Sequence, residues 1–230
     1  MEDFFSRSEA LLGSERMATL RQKKVIIFGV GGVGSWCAEC LIRTGLTHLT
    51  LVDGDTVQAS NLNRQLPATR ETIGRYKVDA LRERLLQINP EAQIEALPVM
   101  VNEEWLAANG LPYDYVIDAI DDVAAKVHLI IYATRARVKI FSSMGAALRF
   151  DPTQVTTGEL MTIQGDALAK AVRARMKKLG VKPYRKVKCV YSTEQAQRCE
   201  TRGSLMQVTA VFGCTLASLV INNICKHSNQ

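Results

Sequence analysis

The sequence predicts an α/β chain: a doubly wound, mainly parallel sheet with a C-terminal insertion and a closing apolar helix. Three observations predict it. Short β-branched runs alternate with stretches of helical spacing over the first 150 residues. A GxGxxG turn, Gly29, Gly31 and Gly34, falls where the first run ends and a helix begins. An acid, Asp53, stands at the end of the second run.

The elements follow in order. Residues 1–22 form an N-terminal arm, helical from residue 3. In the core, residues 23–150, KKVIIFG reads as a buried parallel strand and SWCAECLIRTG as a helix ending at Gly45. LTHLTLVD is the second strand. YKVDALRERLLQINP has apolar or small residues at Val78, Ala80, Leu81, Leu85 and Ile88, a helical spacing stopped by Pro90. AQIEALPV and YDYVIDAI are further strands, Trp105 sits in a surface helix between them, and VHLIIYATRARV is a helix leading into the strand KIFSSMGA. Right-handed crossovers then give a Rossmann-like core. Residues 151–202 change character, with DPTQV, a basic helix and a loop; this is a basic insertion rather than an independent domain. Residues 203–230 are a closing helix and tail.

Composition narrows the setting. The chain of 230 residues is 47% hydrophobic, enough for a sizeable core. Formal charge is +6, but the basicity is regional. Lys170, Arg173, Arg175, Lys177, Lys178, Lys182, Arg185, Lys186 and Lys188 occur without an intervening acid, and the rest of the chain is net negative. One surface is therefore expected to meet a polyanion. Six cysteines form no secreted disulfide pattern, and the start, MEDFFSRSEALLG, has acids among its apolar residues where a signal peptide needs an uninterrupted apolar core; the expected location is cytoplasmic. The charge-free run 203–225 carries Ser204, Gln207, Thr209, Thr215, Ser218, Asn222 and Asn223, so a buried or subunit-interface helix is expected and no stable membrane span.

The glycine turn brings backbone N–H groups close to phosphate at a helix N-terminus, and Asp53 is placed to accept ribose hydroxyls. By itself this leaves NAD and ATP open. The segment 61–65, NLNRQ, decides for ATP. Hydride transfer has no evident use for a cation beside the second strand, whereas attack of a carboxylate on the α-phosphorus of ATP builds charge on phosphoryl oxygens. Arg64 offers a rigid fork to those oxygens, and Lys77, at the start of a helix, a point charge. An acidic Mg2+ ligand should lie at the end of a neighbouring strand, where DAIDD supplies Asp118, Asp121 and Asp122.

GVGGVGS, LVDGD, NLNRQ, Lys77 and DAID together resemble the ubiquitin-activating-like adenylyltransferase family. RSEALLG, LLQINPE, DPTQV with its basic helix, and CVYSTE are similar to the branch that dehydrates threonylcarbamoyladenosine in tRNA. The resemblance implies ATP and Mg2+ as cofactors. Gly31, Gly32 and Gly34 would lie against the nucleotide, Asp53 on its ribose, Asn61 and Gln65 with Asn63 in the pocket wall, Arg64 and Lys77 on the phosphates, and Asp121 on Mg2+. It also implies a homodimer, because an N-terminal arginine, here Arg7, reaches into the partner's site in such enzymes. The implied substrate is tRNA and not DNA, with a sulfur-relay protein as a further partner the branch admits.

The implied reaction adenylates the threonyl carboxylate and closes the ring with loss of AMP. That carboxylate is ionised already, so no general base is needed, and none of His48, His128 and His227 is assigned one. Two readings compete: adenylation of the C-terminal carboxylate of a ubiquitin-like sulfur-carrier protein, and a catalytically silent nucleotide- or RNA-binding scaffold. Many carrier-activating relatives hold zinc through two CxxC pairs; this chain has one, Cys37 and Cys40, read as small core residues of their helix. Cys189 is read as packing ahead of a nucleophilic role.

Overall fold

The computed structural model describes residues 4–201 and 203–227. Its centre is β1, Lys24–Phe28, whose alternate side chains feed two cores. Val25 and Ile27 enter one, Ile26 and Phe28 the other, which is why the run is apolar throughout. The sheet has seven strands in the order β3, β2, β1, β4, β5, β7, β6, with β2 His48–Val52, β3 Gln93–Leu97, β4 Tyr115–Asp118, β5 Lys139–Ser143, β6 Val155–Glu159 and β7 Lys188–Ser192. All neighbours are parallel except the edge pair β6 and β7. This is the doubly wound sheet the sequence predicts.

The arm is two helices, α1 Ser6–Leu12 and α2 Ser14–Gln22, where the sequence suggested one. Gly13, at φ +81°, breaks them, and α2 then turns Met17 and Leu20 into the core. The helix after the glycine turn, α3 Gly34–Thr44, stops at left-handed Gly45 as expected. With α4 Lys77–Ile88 and the closing helix α8 Met206–His227, it covers one face of the sheet. α5 Glu103–Asn109, α6 Val123–Arg135 and α7 Ala167–Lys178 cover the other. In α5, Trp105 lies edge-on to Phe28, a packing contact.

The basic segment 151–202 supplies β6, α7 and β7. Only α7 was legible in the sequence; β6, VTTGE, is broken by Gly158 and ends on an acid, and β7, KCVYS, opens on a lysine and has one β-branched residue. Cys189 on β7 is fully buried between the helices and the sheet.

α8 is long and apolar enough to cross a membrane by length and composition, yet Val208, Phe212, Leu216, Val220 and Ile224 lie in the core against α3 and the sheet. A Cβ on Gly213 would stand 2.4 Å from the Val33 carbonyl oxygen, so glycine lets α8 touch the start of α3.

Candidate active site

The strand order reverses between β1 and β4, and a cleft of about 630 Å3 opens beyond the carboxyl ends of these strands. The glycine turn forms its floor. Gly29 has φ +84° and Gly34 packs so closely that a Cβ would lie 1.8 Å from the Gly29 carbonyl oxygen, so neither position accepts a side chain. Gly31 and Gly32 line the cleft beside them.

Asp53, at the end of β2, accepts hydrogen bonds from Val30 N and Asp55 N, both at 2.9 Å. Burial raises its carboxyl above the usual range, opposed by the Lys77 charge and those two amides. The carboxylate is thus fixed with one oxygen on the glycine turn, and each oxygen keeps a further lone pair for a hydroxyl donor.

Asn61, Arg64 and Gln65 line the same cleft. Their loop is self-braced: the Asn61 carboxamide accepts from Gln58 N at 3.0 Å, and the Asn61 carbonyl accepts from Arg64 N and Gln65 N. Trp36 on α3 donates its indole N–H to the Arg64 carbonyl at 3.1 Å. Arg64 Nη1 donates to Asn63 Oδ1 at 2.8 Å and to the Ser60 carbonyl at 3.0 Å, and its aliphatic stem packs against Gly32. Asn63 does not line the cleft. It is exposed, orients Arg64, and ties the loop to the Ser204 carbonyl at 2.9 Å. Gln65 Oε1 is buried and has no hydrogen-bond partner among the described residues.

Lys77 opens α4 and is only 7% exposed; its ammonium meets Asp55 Oδ2 at 2.6 Å on the cleft wall. A cation is thereby parked in the cleft against an acid that is itself half exposed.

The three acids of DAIDD separate cleanly. Asp118 is fully buried, its Oδ2 accepting from Lys126 Nζ at 2.7 Å and Ser142 Oγ at 2.6 Å, its Oδ1 from Ile120 N. It is a structural partner for a buried cation and has no room for a metal. Asp122 lines the cleft but caps α6, accepting from Ala125 N at 2.8 Å. Asp121 lines the cleft. Among the described residues no three His, Cys, Asp or Glu side chains converge on one metal position. A nucleotide-borne Mg2+ takes one or two carboxylates with phosphates and waters, and the Asp121 carboxylate fits such a donor set.

The cleft has walls that residue reading missed. Met100, after β3, and Ser143 to Ala147, after β5, follow from the rule that ligands sit beyond the carboxyl ends of strands. Leu168, Ser204 and Thr209 carry no local signal; they arrive with α7 and α8.

Arg7 lies exposed on α1, outside the cleft of its own chain. The basic residues also lie outside it, on α7 and the loop that follows. Lys170, Lys177, Lys178, Lys182, Arg185, Lys186 and Lys188 are exposed; Arg173 and Arg175 are half-buried, Arg173 donating to the Leu160 carbonyl at 2.9 Å.

Of the cysteines, Cys37 is buried in α3, as expected, and desolvation pushes its thiol far up. Cys40 is only half-buried and faces Cys214 of α8 with the two sulfurs 3.4 Å apart. Cys189 is fully buried in the core, in keeping with its reading as packing, and burial pushes its thiol far up.

Comparison with known proteins agrees with this geometry. The model of the ThiF family matches residues 5–230. The chain is 40% identical to the tRNA threonylcarbamoyladenosine dehydratase of Bacillus subtilis, over 83% of this chain and 74% of that protein. It is 36% identical to the enzyme of that name from Haemophilus influenzae, over 98% and 94%. It superposes on the crystal structure of the Escherichia coli tRNA N6-threonylcarbamoyladenosine dehydratase, TcdA, in complex with ATP with a TM-score of 0.92 at 35% identity, covering 98% of this chain and 96% of that one.

Proposed function

The chain belongs to the ThiF family, and from that premise we propose that it is an ATP-dependent dehydratase acting on threonylcarbamoyladenosine in tRNA. The observation that carries the chemistry is that Arg64 and Lys77 line one cleft with the glycine turn, Asp53 and Asp121. A nucleotide site for hydride transfer has no use for two cations there; phosphoryl transfer is catalysed largely by such placement.

The glycine turn receives the phosphates, and Asp53 accepts from the ribose. The buried Gln65 Oε1 is an acceptor in the cleft wall for a donor of the nucleotide. The threonyl carboxylate attacks the α-phosphorus. A new bond forms between its oxygen and phosphorus, and the bond to the pyrophosphate oxygen breaks. Arg64, braced by Asn63, spans oxygens that gain charge in that step. Lys77 transfers its ammonium from Asp55 to a phosphate, a move of short reach because Asp55 is on the same wall. The carbamoyl group then closes on the activated carbonyl, the carbon–oxygen bond to AMP breaks, and a proton is lost. The net change is one water, driven by conversion of ATP to AMP and pyrophosphate. Asp121 would hold Mg2+, which would supply positive charge to offset that of the phosphates.

The active form is read as a homodimer. The exposure of Arg7 outside its own cleft supports a role in a partner's site. All six cysteines are free thiols, which supports a cytosolic location. A sulfur-relay protein remains a proposed accessory partner.

The decisive experiment incubates the protein with ATP, Mg2+ and tRNA carrying the modified nucleoside, and follows AMP release with nucleoside mass. Loss of one water from the nucleoside supports the reading. AMP release that requires a small carrier protein, and leaves the nucleoside mass unchanged, sinks it in favour of carrier activation.

A further inference from the structure

The cationic flank has an aromatic tip that the dehydratase reading leaves unused. α7 starts at the cleft with Leu168 and presents Lys170, Lys177 and Lys178 on its outer face, while Ala169, Val172 and Met176 pack inward. The helix then ends in a hook, residues 179–186, before β7 returns toward the cleft. β7 enters at Lys188, level with Phe141 in the middle of β5, and runs parallel to it toward the cleft end, so the hook that precedes it lies toward the end of the sheet away from the cleft. From Leu168 to Lys178 the helix rises about 15 Å.

Tyr184 stands on this hook with its side chain 64% exposed, between Lys182 and Arg185. Its backbone is pinned: Tyr184 N donates to Thr134 Oγ1 at the end of α6 at 3.2 Å, and Pro183 precedes it. Among the described residues none of these cations is in an ion pair. An exposed ring with two side-chain torsions, on a fixed backbone and with the unpaired cations Lys182 and Arg185 beside it in the chain, is an arrangement that can stack an unpaired base while cations hold the flanking phosphates.

We propose that the hook is a second RNA contact, with Tyr184 stacking a base of the tRNA remote from the nucleoside in the cleft and the α7 lysines holding the backbone between. This rests on the tRNA reading above and extends it. The protein reads its substrate over at least the length of α7, so the free nucleoside is bound far more weakly than the nucleoside within tRNA.

The test measures affinity for modified tRNA at several salt concentrations, alongside ATP affinity, for the full chain and for Tyr184→Ala and Tyr184→Phe. Tyr184→Ala is expected to weaken tRNA binding about 5- to 100-fold with an unchanged salt slope, and Tyr184→Phe to stay within about twofold of the parent. ATP affinity stays constant in both, which also reports intact folding. Normal tRNA binding by Tyr184→Ala overturns the proposal, whether or not that variant loses a protein partner. So does an equal loss in Tyr184→Phe, which would assign the effect to the hydroxyl. A parent chain that binds no tRNA fails the dehydratase reading itself, an outcome distinct from both.

Discussion

The cleft and the basic flank use the same two residue types in opposite ways. In the cleft, Lys77 is nearly buried against Asp55, and Arg64 is held by Asn63, Ser60 and Trp36. On the flank, Lys177, Lys178 and Lys182 stand in solvent with no ion pair among the described residues. A cation whose position is set before the substrate arrives needs no reorganisation when charge develops, so it acts on the transition state. A solvated cation acts through counterion release, so it acts on encounter and affinity and is sensitive to salt. On the function proposed above, position within the fold, not residue type, separates catalysis from docking.

The largest test of that contrast is Arg64→Ala. Turnover should fall about 10³-fold or more, as when a phosphoryl-transfer arginine is removed, while tRNA affinity is largely kept. AMP release and filter binding on the same preparation check both halves. Surviving turnover would show that the cleft cation is dispensable and break the comparison.

Lys126 sharpens it from another side, being a cation that does neither job. It is fully buried, bound to Asp118, Ser142 Oγ and the Ser143 carbonyl beneath the cleft. Lys126→Met leaves Asp118 buried without its partner, and should cost about 3–5 kcal/mol of folding stability in a denaturant titration. A stability close to the parent's would mean that the pair contributes little to the cleft's rigidity.

The paired change Lys177→Ala with Lys178→Ala should be milder. The rate at saturating tRNA should hold, and the slope of log affinity against log salt should shrink by about 1.4 to 1.8, the share of two phosphate contacts. An unchanged slope would remove these lysines from the RNA surface.

The smallest effect concerns the joint where α8 meets α3. The hydrogen bond from Cys40 lowers the Cys214 thiol to about 7, while Cys40 itself is driven up. The thiolate is the reactive form, so alkylation of Cys214 should be slow at pH 6, half-maximal near pH 7 and on a plateau by pH 8. Mass spectrometry after brief iodoacetamide treatment measures it. Cys40→Ala, which removes the donor, should shift the midpoint upward.

Legibility in the sequence varied by residue for physical reasons. Arg64, Lys77 and the glycine turn were readable because each acts from a local motif: a strand end, a tight turn, a helix start. That Asp118 is buried while Asp121 and Asp122 face the cleft was not readable from the residues alone, although the family resemblance pointed to Asp121. Asp118 ends β4 and pairs with Lys126 across one helix turn and the neighbouring strand, whereas Asp121 sits past the strand on the cleft wall. β6 and β7 escaped because their pairing to each other and to β5 joins segments far apart in the chain. Cys40 was read as core because nothing near it announces Cys214, 174 residues away.

The sequence by itself determined a glycine turn at a strand end, an acid after the second strand, the candidate cations Arg64 and Lys77 and a basic segment, because each depends on backbone conformations and charges set by neighbours in the chain. Only the tertiary structure decided that Ser204 and Thr209 of the closing segment complete the cleft, that Asp118 is spoken for, and that the basic helix starts at the cleft and leads away from it. Those facts depend on helices and strands packed from opposite ends of the sequence, and close packing fixes them only when the whole sheet is assembled.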